Sequence, residues 1–254
     1  MKNRSDMEVL KDKLRNILDP YLKQASAGQL DSIADNLFAN EDEYRSTLEW
    51  IRGKQRDCEA EVEKIALGDV LGNDWMAESP GGDIAHKSGG FFRIIGVEVQ
   101  TDKRESGRGW KQPMLDQGTE SSIAGFLRRE TDSGHQYLVE AKFEPGNYGK
   151  VLISPSLQVT YSNLERAHGG RRPRFAELFD GSDPGIKTLY EQWLPEDGGR
   201  FYLKRVKYMI VKLPRDKEIE IDDNFRWVGV NTLKRLLWHD DLVNPHVRSL
   251  LAVL

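Results

Sequence analysis

Three stretches of this chain gather side chains able to move protons or hold anions: EAKFEPGN at 140–147, SPSLQVTYSN at 154–163 and RAHGGRRPR at 166–174. In an extended HQYLVEAKF segment Glu140 and Lys142 lie two apart and share one face, where a carboxylate and an ammonium perturb each other's proton affinity. A cross-strand salt bridge explains that pair equally well. Along LQVTYSN the polar Gln158, Thr160 and Ser162 share a face, as a sugar site would need and as the solvent side of an antiparallel sheet would also show. Arg166, Arg171, Arg172 and Arg174 surround His168 and a Gly-Gly pair whose backbone can approach a ligand closely, a composition suited to a pyrophosphate or to a solvated basic loop. His168 is the histidine best placed to titrate near neutral pH. His86, in AHKSGGFF, is read either as a ligand contact or as a cap on the following strand. Trp110, beside Gln112 and Pro113, offers a face for a nucleotide base or simply a core aromatic. No Walker loop, GxGxxG, HExxH or GxSxG motif is present to decide among these.

The elements that must position these residues follow from periodicity. Residues 1–70 read as a helical N-terminal region, with Leu10, Leu14, Ile17 and Tyr21 and then Leu30, Ile33 and Leu37 at helical spacing. An amphipathic stripe of Tyr44, Leu48, Ile51, Cys58, Val62 and Ile65 extends from Asp42 to Leu67, a packing or dimerising helix. Residues 71–254 form a second region. There GFFRIIGVEVQ, HQYLVEAKF, KVLIS, LQVTYSN and RFYLKRVKYMIVKL are bounded by turn residues and predict one mixed, mostly antiparallel sheet. The chain returns to helix at its end, where Asn231 or Thr232 can cap Leu233–Leu237 and Asn244-Pro245 is an N-cap followed by proline. The class is α+β.

Composition narrows the partners. In 254 residues, 37 Lys+Arg stand against 41 Asp+Glu, a net charge of −4 that argues against a general nucleic-acid binder. No apolar run is long enough to span a bilayer, and the charged start has no signal-type segment, so no membrane contact is expected. A single cysteine, Cys58, permits no internal disulfide and no thiolate zinc site, which fits a reducing cytoplasm.

The ordered series HKSGGFFRIIGVEV, WKQP, EAKFEPGN, SPSLQVTYSN, RAHGGRRPRFAELF, PEDGGRFYLKR, FRWVGVNTLKRLL and LVNPHVRSLL resembles the NDP-hexose 2,3-dehydratase family over residues 75–254. That resemblance implies a Nudix-like α/β/α sandwich without the acidic metal-binding signature of Nudix hydrolases. It also implies a chemistry with no metal and no redox cofactor. Family members typically carry two such modules in tandem, so a single-module chain is expected to pair with its own copy as a two-fold homodimer. The implied reaction is loss of water across C2 and C3 of a dTDP-linked 4-keto-6-deoxyhexose. A base removes the C3 hydrogen acidified by the C4 ketone, and an acid protonates the departing C2 hydroxyl.

By matching motif, the resemblance assigns His168 or Glu144 to proton transfer and Lys142 to the enolate. It puts Asn147, Gln158, Thr160, Ser162 and Asn163 in the sugar pocket, and Trp110, Gln112, Arg166 and Arg171 at the nucleotide end. His86, Glu196 and Lys204 complete the substrate-binding set. The late strand departs from the family's pattern: Glu196, Gly198, Lys204 and Arg205 match, whereas Pro195, Val206 and Tyr208 replace polar positions. Three readings follow: the lyase, a non-catalytic nucleotide-sugar binding module or partner subunit, and a magnesium-dependent Nudix-like hydrolase.

Overall fold

A computed structural model describes residues 9, 12–14, 16–17, 40–72, 74–77, 82–102, 109–131, 134–164 and 173–254. Of the apolar repeats expected before residue 40, Leu14 and Ile17 are described, on helical backbone, and the others fall outside the described residues. Helix α1 (Glu41–Arg56) opens on Asn40, whose side chain accepts from the Glu43 amide at 3.0 Å, and carries acids in its first turn and Lys54 and Arg56 in its last. Of the expected stripe Ile51 is buried and Tyr44, Leu48 and Cys58 pack partly buried against the core, but the helix stops at Arg56 instead of continuing to Leu67, and Val62 and Ile65 are more than half exposed. Helical spacing without a surface to cover does not hold a helix in water, because helices in proteins draw most of their stability from packing. Past Arg56 the chain runs irregularly, with the Ala60 carbonyl held by Lys150 Nζ at 2.7 Å, before a single turn, α2 (Leu67–Val70).

Two sheets form where one was expected. Strands β1 (Trp75–Ala77), β2 (Ile84–His86), β3 (Arg93–Val99) and β4 (Trp110–Asp116) make an antiparallel four-stranded sheet in chain order. The outer edge of β4 explains why it does not join the second sheet. Its Leu115 amide donates outward to the Arg200 carbonyl at 2.7 Å, and two residues earlier Pro113 has no amide to continue such a ladder. The edge is closed instead by the short stretch Arg200–Tyr202.

The larger sheet holds β5 (Glu120–Thr131), β6 (Gly134–Phe143), β7 (Val151–Pro155), β8 (Leu157–Thr160), β9 (Lys187–Pro195), β10 (Arg205–Lys212) and β11 (Phe225–Gly229). The order β11-β6-β5-β10-β9 is antiparallel except for β5 with β10, so it is mixed and mostly antiparallel as expected. β7 pairs with the end of β6 and β8 with the start of β5. The chain changes partner at Pro155-Ser156, where the buried Ser156 hydroxyl accepts from the Leu127 amide at 2.7 Å and donates to the Gly125 carbonyl at 2.9 Å.

Helices cover one face of this sheet. Ile51 of α1, Leu233 and Leu236 of α4 (Val230–Leu236), and Val247 and Leu250 of α5 (Pro245–Leu251) pack on Phe126, Val139, Ile153 and Ile210. A turn α3 (Tyr161–Leu164) and the segment around Phe175, Leu178 and Phe179 cover the opposite face over Leu127, Leu138 and Val211. Gly125 permits this second layer, since a Cβ there would meet the Phe179 ring at 2.2 Å. At the start of α4 the expected Asn231 or Thr232 cap is replaced. Gly229 is the N-cap, and Glu43 of α1 reaches over to accept from its amide at 3.2 Å and from the Thr232 hydroxyl at 2.6 Å. The cap of α5 is the one read from sequence: Asn244 accepts from the Val247 amide at 3.0 Å and Pro245 opens the helix.

Candidate active site

One end of the parallel β5–β10 pair opens into a cleft of about 310 Å³. It is lined by Gln117, Ser122 and Ile123 from the start of β5, Lys142 and Glu144 from the end of β6, and Val159 with its neighbours Gln158 and Thr160 from β8. Lys204 and Val206 enter from the start of β10, and His246 from the first turn of α5. Register explains the convergence: Ser122 lies between Thr160 on one side and Val206 on the other. α5 is brought there by Ile153, whose amide donates to the Leu242 carbonyl at 2.8 Å and whose carbonyl accepts from the Asn244 amide at 3.0 Å.

A chain of polar contacts fixes the wall. The fully buried Asn244 donates to Ser154 Oγ at 2.9 Å and to Gln158 Oε1 at 2.7 Å. Gln158 in turn donates from Nε2 to Glu144 Oε1 at 2.8 Å, and Lys142 Nζ donates to the Gln158 carbonyl at 2.9 Å. Lys204 Nζ sits 4.0 Å from Glu196 and 4.5 Å from the centre of the Phe201 ring. Burial pushes the Lys204 ammonium below the usual lysine range, while Glu196 pulls it back up. Burial is also the first cause holding the His246 imidazole down at about 4, with the two lysine charges adding to it and Glu144 opposing. His246 Nδ1 shares a 2.9 Å hydrogen bond with the Tyr208 hydroxyl, whose proton burial makes harder to remove. Ser122 is buried, and its Oγ has no partner among the described residues.

Such a site can hold a polar, oxygen-rich molecule, place two ammonium groups against developing negative charge, and offer a carboxylate and a neutral imidazole for proton transfer. Among the described residues no group of three or more His, Cys, Asp or Glu comes together to hold a metal ion.

Residues 44–254 match the family model described as NDP-hexose 2,3-dehydratase. The chain belongs to this family. It is 34% identical over 210 residues to a dTDP-4-dehydro-6-deoxy-alpha-D-glucopyranose 2,3-dehydratase of Amycolatopsis orientalis, covering 81% of this chain and 43% of that protein. It is 33% identical over 191 residues to the protein of that name from Streptomyces violaceoruber, covering 75% and 42%. The chain thus spans less than half the length of these relatives. Among solved structures it is similar to an ADP compounds hydrolase (12% identity, 63% of this chain and 82% of that one, TM-score 0.37) and to a Nudix hydrolase from M. Smegmatis (14%, 62% and 97%, TM-score 0.34).

Of the residues assigned through the family resemblance, Lys142, Glu144, Gln158, Thr160 and Lys204 meet in the cleft, and Glu196 stands behind Lys204. Asn147 holds the turn after Glu144, its amide donating to the Glu144 carbonyl at 3.1 Å. β8 ends at Thr160, so Ser162 does not continue the strand face; it and Asn163 lie in α3, with side chains outside those described. Arg166, His168 and Arg171 fall outside the described residues.

His86, Trp110 and Gln112 belong to the four-stranded sheet and do not line the cleft. His86 Nδ1 bonds Ser88 Oγ at 2.7 Å, and Trp110 Nε1 donates to Gln112 Oε1 at 2.9 Å. Gln112 also donates to the Gly199 carbonyl at 3.3 Å, on the segment that leads into Lys204. Sequence reasoning missed Gln117, Ser122 and above all His246. Its only signal was the Asn244-Pro245 cap, which fixed a helix start beside a histidine without saying what that start would face.

Proposed function

We propose that this chain is a carbon-oxygen lyase that removes water across C2 and C3 of a dTDP-linked 4-keto-6-deoxyhexose, giving a 3,4-diketo-2,6-dideoxy sugar. The observation that carries the reading is the meeting of Lys142, Glu144, Gln158, Thr160 and Lys204 in one cleft of a chain belonging to the 2,3-dehydratase family. Lys142 and Lys204 stabilise the charge that collects on O4 once the C3 hydrogen is lost. Glu144 is the carboxylate of the proton-transfer set, held by Gln158. Gln158 and Thr160 bind sugar hydroxyls. The basic stretch bearing Arg166, His168 and Arg171 serves the pyrophosphate and proton transfer, and His86, Trp110 and Gln112 extend the surface toward the nucleotide.

The family relatives supply more than twice the length that this chain matches, and we take two copies of it to form the working unit, a homodimer. A free Cys58 and an acidic balance support a cytoplasmic protein with no nucleic-acid partner. No helix among the described residues is long and apolar enough to cross a membrane.

Purified protein is incubated with dTDP-4-keto-6-deoxyglucose, the unstable product is trapped by a 3-ketoreductase with NADPH, and the nucleotide sugar is followed by mass. A 2-deoxy product is expected. Intact substrate together with dTDP binding would overturn the lyase in favour of a non-catalytic partner subunit, the reading favoured by the chain's partial coverage of its relatives and by Val206 and Tyr208 in the late strand.

A further inference from the structure

His246 enters the cleft from α5, 104 residues beyond Lys142, and two contacts fix how it does so. Asn244, buried and bonded to both Ser154 and Gln158, locks the first turn of α5 to the cleft wall, so the helix cannot shift without breaking the wall itself. Tyr208 Oη, 2.9 Å from Nδ1, occupies one ring nitrogen, and the two rings lie 5.8 Å apart. The other nitrogen, Nε2, has no hydrogen-bond partner among the described residues. Its charged neighbours are Glu144, Lys142 and Lys204.

We propose that His246, in place of His168 or Glu144, is the base of the dehydration, its Nε2 taking the C3 proton, with Tyr208 as the positioning residue whose hydroxyl accepts a hydrogen bond from Nδ1–H in the tautomer that leaves Nε2 its lone pair. The proposal rests on the lyase reading above. An imidazole kept neutral by burial and by two lysines has its lone pair available for this step, and Glu144 faces the imidazolium that results.

The C3–H bond breaks, its proton goes to Nε2, and the electron pair becomes a C3=C4 bond with the charge on O4 beside the lysines. The enolate then expels the C2 oxygen, which receives the proton back from the imidazolium and leaves as water. The C2=C3 bond forms and the C4 ketone is restored. The C3 enol so produced moves its hydroxyl proton to C2, by way of solvent, to give the 3,4-diketone. In a gluco-configured ring the C3 hydrogen and C2 hydroxyl are gauche and on one face, within reach of one imidazole.

The test compares wild type, His246→Gln and Tyr208→Phe on dTDP-4-keto-6-deoxyglucose in D2O, reading trapped 2-deoxy product, deuterium entering C3 of recovered substrate, dTDP affinity and melting temperature. His246→Gln is expected to lose about 10³-fold in turnover and to stop C3 exchange, with dTDP affinity and melting temperature close to wild type. Tyr208→Phe is expected to lower kcat about tenfold at constant KM, with exchange and elimination falling together. Turnover by His246→Gln within fivefold of wild type, or C3 exchange that survives while elimination stops, overturns His246 as the base. A Tyr208→Phe variant that changes KM alone removes the positioning role. Wild type that neither exchanges nor eliminates overturns the lyase reading and the base together, so the two failures are distinguishable.

Discussion

The two ends of the parallel β5–β10 pair carry similar residues and treat them oppositely. At one end Glu130 accepts from Lys212 Nζ at 2.5 Å and from Arg215 Nε at 3.2 Å, with Arg128 and His135 each at 3.8 Å. The cations there share the one carboxylate, Arg128 Nε is left without a partner among the described residues, and the Lys212 hydrogen bond is the first cause holding the Glu130 carboxyl down at about 2. At the other end Lys204 has one carboxylate at 4.0 Å, Lys142 spends its hydrogen bond on a carbonyl, His246 stays neutral and Ser122 Oγ has no partner among the described residues. A network centred on one carboxylate stabilises the fold. A looser, open one leaves donors and acceptors for a ligand to complete, and the difference supports placing the proposed site at the Lys204 end.

Breaking the open end should cost chemistry more than stability. Lys142→Met is expected to lower turnover about 10²-fold, the scale for removing one stabiliser of a developing oxyanion, with the urea midpoint little changed. Turnover that holds steady would remove Lys142 from the enolate step. Breaking the Glu130 end should do the reverse: Glu130→Gln is expected to lose about 1 kcal/mol by urea unfolding, since it leaves the partly buried Lys212 and Arg128 without their carboxylate, with turnover per folded molecule preserved.

The same contrast has a pH signature. The unfolded chain protonates its histidine near 6.5 whereas folded His246 resists until about 4, so stability from the cleft end drains as pH falls from about 6.5 to about 4. Glu130, depressed from 4.5 to about 2, contributes fully above about 4.5 and is lost as pH falls toward 2. Melting temperature against pH should therefore flatten in the upper window for His246→Gln and in the lower one for Glu130→Gln. The smallest effect belongs to Ser122→Ala. Deleting a buried hydroxyl with nothing to bond should change stability by no more than about 0.5 kcal/mol, while nucleotide-sugar binding weakens about threefold, the worth of one hydrogen bond.

Much of this arrangement was legible beforehand, and what was not has a pattern. The strand holding Glu140 and Lys142, the alternation of Gln158 and Thr160, and the Asn244-Pro245 cap all rest on contacts between residues near in sequence. Each came out as the local pattern dictated. The helix expected to reach Leu67 failed because periodicity registers a stripe without registering what it would cover. The single expected sheet became two because the outer edge of β4 lacks one amide, at Pro113, a feature whose meaning depends on which edge faces outward. Tyr208 stood out in the sequence as a departure from the family's pattern. In the structure the same phenol is the partner of His246, a side chain that no local pattern places near it.

By itself the sequence determined the α+β class and the strand faces, since hydrophobic period acts over a few residues, and its ordered motifs carried the family resemblance through which Lys142, Glu144, Gln158, Thr160 and Lys204, all found lining the cleft, were singled out. Only the tertiary structure decided that β5 and β10 run parallel, that α5 is tied to Ile153, and that His246 therefore meets Lys142 and Lys204. Those outcomes depend on which buried surfaces and backbone hydrogen bonds of distant segments complement one another. That choice is made by the whole core at once, and no window along the chain contains it.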